Sequence, residues 1–148
     1  MSLEQRLSQE IKEAMLARNA DRLSTLRLLK SSIGYVQIER KTDKLSDVDF
    51  VVIVQREIKK RRDAIEQYDK GGRPELAAKE RAEVTVLESF LPPPLSATEL
   101  EQLVQAAIQE TGATSKKQMG LVIKAAQAKA AGRAEGKAIS EAAGRLLS

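Results

Sequence analysis

Phe50-Val51-Val52-Ile53-Val54 is the stretch of this sequence most easily misread as a β-strand. It is a five-residue apolar run, and its last four residues are β-branched, which lowers helix propensity. The flanks decide otherwise. Ser46 stands where a helix cap belongs, and Asp47 and Asp49 follow where the positive end of the helix dipole favours acids. Downstream, Ile58, Ile65 and Tyr68 fall on the same side of a helix as Val51 and Val54. A strand has no use for that period. The run therefore opens a long helix, and with no other β signal of weight the chain reads as all-α.

Working outward, the same spacing recurs on both sides. Ser2 with Gln5 makes a capping box ahead of a stripe of Leu3, Leu7, Ile11 and Met15. Asp21 is the expected cap of a second helix, with Leu23, Leu26, Leu29, Ile33 and Val36 facing inward. Gly71-Gly72 ends the third helix, and Pro74 suits the first position of a fourth, whose apolar residues are Leu76, Ala77, Val84, Leu87 and Leu91. Pro92-Pro93-Pro94 then forms a stiff spacer without backbone donors. Beyond it, Ser96 with Glu99 opens a helix carrying Leu100, Leu103, Val104, Ala107 and Ile108. Ser115 with Gln118 is expected to open the next, with Met119, Val122, Ile123, Ala126 and Ala130 inside. Ile139, Ala142, Ala143 and Leu146 mark the last. The expected organisation is a four-helix N-terminal domain over 1–91 and a three-helix C-terminal domain over 95–148.

Composition limits the chemistry. The 148 residues include no cysteine, histidine or tryptophan. The common zinc ligand sets, disulfides and Cys–His or Ser–His–Asp nucleophiles are thereby excluded. Apolar residues make up 42% but aromatics only 3%, so the core must be aliphatic. No apolar run approaches the ~20 residues that a membrane span needs. The N-terminal Ser2-Leu3-Glu4-Gln5-Arg6 leads into no apolar signal region. A cytosolic compartment without membrane contact is the expectation.

Charge is unevenly distributed. Residues 1–112 hold 18 bases and 19 acids, whereas residues 113–148 hold seven bases and two acids. The net +4 is thus a near-neutral scaffold joined to a segment of +5, a layout that suits a polyanionic partner as well as a merely solubilising face.

Catalytic constellations are weak. Glu80 and Glu83 share a helix face, but Lys79 and Arg81 flank them, and Lys79 can pair with Glu83 on the surface. No metal site is expected. Lys30-Ser31-Ser32 has amidase-like residue types, but three consecutive helical residues point in different directions. No glycine loop has phosphate-binding spacing. Lys59-Lys60-Arg61-Arg62 is spread around its helix, with Glu57, Asp63 and Glu66 within pairing reach. Arg61 lies on the Ile58–Ile65 seam, where its stem can cover apolar surface. No catalytic residue and no cofactor is expected.

The helix after Ser115 differs. Lys117 and Lys124 are seven apart on the face opposite its apolar residues, with Gly120 between them and no acid nearby. A glycine there costs about 1 kcal/mol of helix propensity but lets another backbone approach. The candidate RNA-binding set is Lys116, Lys117, Gly120, Lys124, Lys129, Arg133 and Lys137, acting on phosphate and shape because no aromatic interleaves with them.

Five segments carry a family resemblance. They are Arg22-Leu23-Ser24-Thr25-Leu26-Arg27, Arg56-Glu57-Ile58-Lys59-Lys60-Arg61-Arg62-Asp63, Glu88-Ser89-Phe90-Leu91-Pro92, Met119-Gly120 with Val122, and Gly132-Arg133-Ala134-Glu135-Gly136. In this order and spacing the chain resembles the free-standing GatB/YqeY family over essentially its whole length. Glu135 departs from it, standing where the family usually has Asp, a better helix cap, and Ala125 lies where the family usually has Met. The resemblance implies a two-domain helical fold. It also implies kinship with the C-terminal tail of the B subunit of glutamine-dependent aspartyl/glutamyl-tRNA amidotransferase, a tail that helps hold the tRNA. It carries an associated carbon–nitrogen ligase activity with glutamine as amide donor. The expected function is a tRNA- or structured-RNA-binding accessory protein. The alternatives are a helical module docking on an amidotransferase or translation factor, or that ligase activity itself.

Overall fold

The structure is a computed structural model and describes residues 1–147. These form seven α-helices: α1 (Leu3–Leu16), α2 (Ala20–Arg40), α3 (Asp47–Lys70), α4 (Pro74–Glu88), α5 (Ala97–Thr111), α6 (Met119–Ala130) and α7 (Gly136–Leu146). There is no strand among the described residues, and Phe50–Val54 lies in the first two turns of α3. Phe50, Val51, Ile53 and Val54 are buried there. Burial of each such side chain is worth about 1.5–3 kcal/mol, more than the sub-kcal propensity penalty of β-branching. The chain divides into two compact units, Met1–Leu91 and the segment from Pro92 on.

In the first unit, Ser2 and Gln5 form the expected reciprocal cap, at 3.2 and 2.9 Å. The next boundary falls elsewhere than expected. Arg18 adopts a left-handed conformation (φ 55°), and Asn19 caps α2 by accepting from the Arg22 N–H at 3.2 Å. Asp21, expected as the cap, sits in the first turn instead. Met15 also departs from expectation: it is exposed, and Ala14 is buried in its place. Each step of four residues rotates a stripe by about 40°, so three steps carry it off the core face.

Ser46 caps α3, accepting from the Asp49 N–H at 3.2 Å. Leu45 and Phe50 flank that cap in one apolar cluster, the positions of a hydrophobic staple. Gly72 takes the left-handed conformation (φ 69°) that closes α3, and Pro74 begins α4. Phe90 is buried, its ring centroid 5.7 Å from that of Phe50 and 4.6 Å from the Arg6 guanidinium carbon. Arg6 also donates to the Ser89 carbonyl and to Glu10, each at 2.7 Å.

In the second unit, α5, α6 and α7 pack pairwise around a core of Val104, Val122, Ile139, Leu147 and six alanines. Ser96 and Glu99 cap α5 reciprocally, each bond 3.1 Å. The Glu99 carboxyl is held below its usual pKa by hydrogen bonding from the Ser96 backbone N–H and then its hydroxyl, with a smaller contribution from the Arg133 charge. Gly112 closes α5 at φ 69°. Glu135 stands at the N-cap of α7 with no side-chain cap hydrogen bond, the consequence expected of Glu in place of Asp.

Candidate nucleic-acid interface

The start of α6 sets the geometry of the basic segment. Ser115 makes no side-chain cap. Gln118 Oε1 accepts from the Thr114 N–H at 2.8 Å instead of reaching the Ser115 N–H. Lys116–Gln118 therefore form a 3-10 turn, and α6 proper begins at Met119. The expected helix start at Ser115 is corrected to this position.

Lys116, Lys117, Gly120 and Lys124 follow one another along this turn and the first half of α6, and all four are exposed. None of the three lysines forms an ion pair among the described residues. Space over Gly120 is open: a Cβ built there meets nothing within 4 Å. The glycine therefore satisfies no internal packing demand. Beside it, Leu121 is 57% exposed, outside the buried arc of Met119, Val122, Ile123 and Ala126, so helical spacing alone does not single it out.

The other three candidates are placed differently. Lys129 pairs with Glu110 at 2.8 Å. Arg133 donates to the Pro93 carbonyl at 2.8 Å and lies 3.8 Å from Glu99, while its own carbonyl accepts from the Leu95 N–H at 2.8 Å. Arg133 thus fastens the proline segment to the α6–α7 loop. Lys137 is exposed in the first turn of α7.

Elsewhere, polar clusters have structural partners. Arg61 is only 9% exposed, and its guanidinium bonds Glu57 and Glu83, both at 2.9 Å. Glu83 therefore reaches Arg61 on α3, not Lys79 on its own helix as expected. Ser32 donates to Glu57 at 2.7 Å, which assigns that serine to the same α2–α3–α4 network. Burial raises the Glu57 pKa, but the hydrogen bonds from Ser32 and Arg61 and the charges of Lys60 and Arg61 outweigh it. The net direction is down. Among the described residues no group of three acids is placed to hold a metal ion, and no helix is long and apolar enough to cross a membrane.

Comparison with known proteins gives relatives across fungi. The chain is 35% identical over 86 residues to an uncharacterized protein of Schizosaccharomyces pombe, covering 58% of this chain and 69% of that one. It is 32% identical over 85 residues to the Altered inheritance of mitochondria protein 41, mitochondrial, of Vanderwaltozyma polyspora, covering 57% of this chain and 46% of that one. The protein of the same name from Eremothecium gossypii is 29% identical over 110 residues, covering 73% of this chain and 60% of that one. The aligned part thus spans about half to two thirds of these proteins. Their names overturn the cytosolic expectation, since several relatives are mitochondrial proteins. The physical reason is that mitochondrial leaders are amphipathic and Arg-rich, so lack of an apolar signal region carries no information about that compartment. The family model described as Yqey-like protein matches residues 4–147, and the chain belongs to the YqeY-like family.

Proposed function

We propose that this protein is a tRNA- or structured-RNA-binding accessory protein linked to glutamine-dependent tRNA amidotransfer, with no catalytic site of its own. On this reading a four-helix N-terminal domain carries a three-helix C-terminal domain that contacts the RNA. The supporting observation is the exposed run Lys116, Lys117, Gly120 and Lys124, whose lysines have no internal partners and whose glycine faces open space. Lysines without acid partners keep their full attraction for phosphate, and a bare backbone lets a sugar–phosphate chain come close. Lys137 extends the set. Lys129 and Arg133 contribute less, because contact with phosphate competes with Glu110, Glu99 and Pro93.

Titration of the protein into labelled tRNA at low salt tests this reading. Binding should weaken steeply with salt. Lys117→Glu with Lys124→Glu should weaken it further and reduce the salt slope by about one per lost phosphate contact. Failure of the wild-type protein to bind tRNA at low salt removes the proposal.

Exposed Leu121 favours a second reading, a helical module docking on an amidotransferase or translation factor. An apolar residue beside an open glycine suits a partner helix. Leu121→Asp separates the two, because it should abolish a stoichiometric protein complex and weaken RNA binding only modestly. The carbon–nitrogen ligase activity implied by the resemblance is tested by assaying the purified chain for glutamine-dependent tRNA amidation.

A further inference from the structure

Pro92, Pro93 and Pro94 have no backbone N–H, so Leu95 carries the first backbone donor of the segment that links the two units. That donor goes to the Arg133 carbonyl at 2.8 Å. In return, the Arg133 Nε donates to the Pro93 carbonyl at 2.8 Å. Among the described residues the segment 92–95 makes no other hydrogen bond. Ala131 and Gly132, at φ 47° and 87°, turn the chain sharply out of α6 just before Arg133, a corner that the glycine takes without strain. The Gly132–Gly136 segment of the family resemblance thus presents both the backbone and the side chain of Arg133 to the prolines.

The side-chain half of this clasp is weakly held. The Arg133 side chain is 39% exposed, and Glu99 lies 3.8 Å away, beyond hydrogen-bond distance. A single guanidinium N–H has a hydrogen-bond partner among the described residues, where the fork can offer several. Arg61 is the contrast, largely buried and bonded to two carboxylates at 2.9 Å. Pro93 is exposed, so water satisfies its carbonyl when the guanidinium leaves, and no buried acceptor is orphaned. A phosphate offers the guanidinium an opposite charge and a bidentate fork, neither of which a peptide carbonyl has.

We propose that Arg133 is a phosphate-released latch: a phosphodiester bound to the basic segment draws the guanidinium off Pro93 and unfastens the proline segment. This rests on the RNA-binding reading above and adds a regulation to it. Without RNA the segment is held at both Pro93 and Leu95. With RNA it is held at Leu95 alone. A ligand shifts such an equilibrium only by binding one state better, and phosphate meets that condition because the guanidinium is free in the unlatched state. Lys116, Lys117 and Lys124 hold nothing else in place, so phosphate contacts there change only affinity. Arg133 instead turns part of the binding energy into release of the connection between the two units.

Leu95 carries the one amide proton of the segment 92–95, so its hydrogen exchange, followed by NMR on the full-length protein, reports the latch directly. The amide of Val104, fully buried on α5, is the control for the fold of the unit. In the free protein the Leu95 amide should be protected. Arg133→Met removes the guanidinium and keeps the backbone carbonyl. It should speed Leu95 exchange about tenfold, as loss of one hydrogen bond from a charged donor implies, and leave Val104 unchanged. Saturating tRNA at low salt should speed Leu95 exchange in the wild type by a similar factor and have no further effect in Arg133→Met. The wild-type comparison needs no substitution, so it tests the latch even where Arg133→Met disturbs the fold. An unprotected Leu95 amide in the free protein overturns the proposal, as does exchange indifferent to Arg133→Met. Binding of tRNA that leaves Leu95 exchange unchanged or slower overturns the latch and leaves the RNA-binding reading standing. Absence of tRNA binding removes that reading, and the latch with it.

Discussion

Arg61 joins three helices through two carboxylates. Its side chain is 10% exposed, and those of Glu57 and Glu83 are 12% and 16% exposed. Removing the guanidinium leaves two acids facing each other in a poorly solvated place. Arg61→Ala should therefore destabilise the protein by about 3 kcal/mol, the range for breaking a buried pair from one side. Urea denaturation measures this, and adding Glu83→Gln to Arg61→Ala should restore part of the loss. Glu57 adds a pH dependence with a definite sign. Its folded pKa lies below the ordinary 4.5, so its stabilising contribution is complete above 4.5 and disappears as pH falls through the folded value. The stability difference between wild type and Glu57→Gln should be largest at neutral pH and shrink in acid. A difference constant with pH would show that Glu57 is not the titrating group. The sequence made the seam position of Arg61 legible, since Ile58 and Ile65 bracket it at helical spacing. It could not reveal Glu83, which lies 22 residues away on another helix and meets Arg61 only through tertiary packing.

Helix boundaries were legible wherever the cap is a local hydrogen bond. Ser2, Ser46 and Ser96 each accept from the backbone N–H three residues on, as the local sequence implies. Asp21 and Ser115 failed for one reason: a neighbouring polar residue offered the chain a different turn. Asn19 took the α2 cap after Arg18 went left-handed, and Gln118 turned back to Thr114. On α6, Gly120 makes stability and binding separable. With nothing within 4 Å of its Cβ position, Gly120→Ala meets no clash. It should raise stability by about 0.5 kcal/mol, the low end of the glycine-to-alanine range because the site is in the first turn. If a nucleic-acid backbone approaches this glycine, the same substitution should weaken tRNA binding. A gain in melting temperature with unchanged RNA affinity would remove Gly120 from the interface while leaving the lysines in place.

At the scale of the whole molecule, helical periodicity made the all-α class readable, because each amphipathic stripe is local. The segment order made the family readable. The distribution of free and paired charge was not readable, since Lys129 and Arg133 look the same in sequence as Lys117 and Lys124, yet folding brings Glu110 and Glu99 to them. Nor does sequence spacing show that the two apolar cores share no residue. The first is built from Leu, Ile, Val and Phe with two alanines among its fifteen buried members. The second has six alanines among ten. An alanine buries far less apolar area than leucine, and a unit of under 60 residues is marginal at best. Unfolding should therefore proceed in two steps, the unit from Pro92 on melting first. Calorimetry should give a total enthalpy larger than the van't Hoff value for one transition. Val122→Ala, at a fully buried site in the second core, should lower only the first step. Leu87→Ala, fully buried in the first core, should lower only the later step, by about 2–5 kcal/mol. A single transition shifted equally by both substitutions would mean that the two cores are energetically coupled and unfold as one.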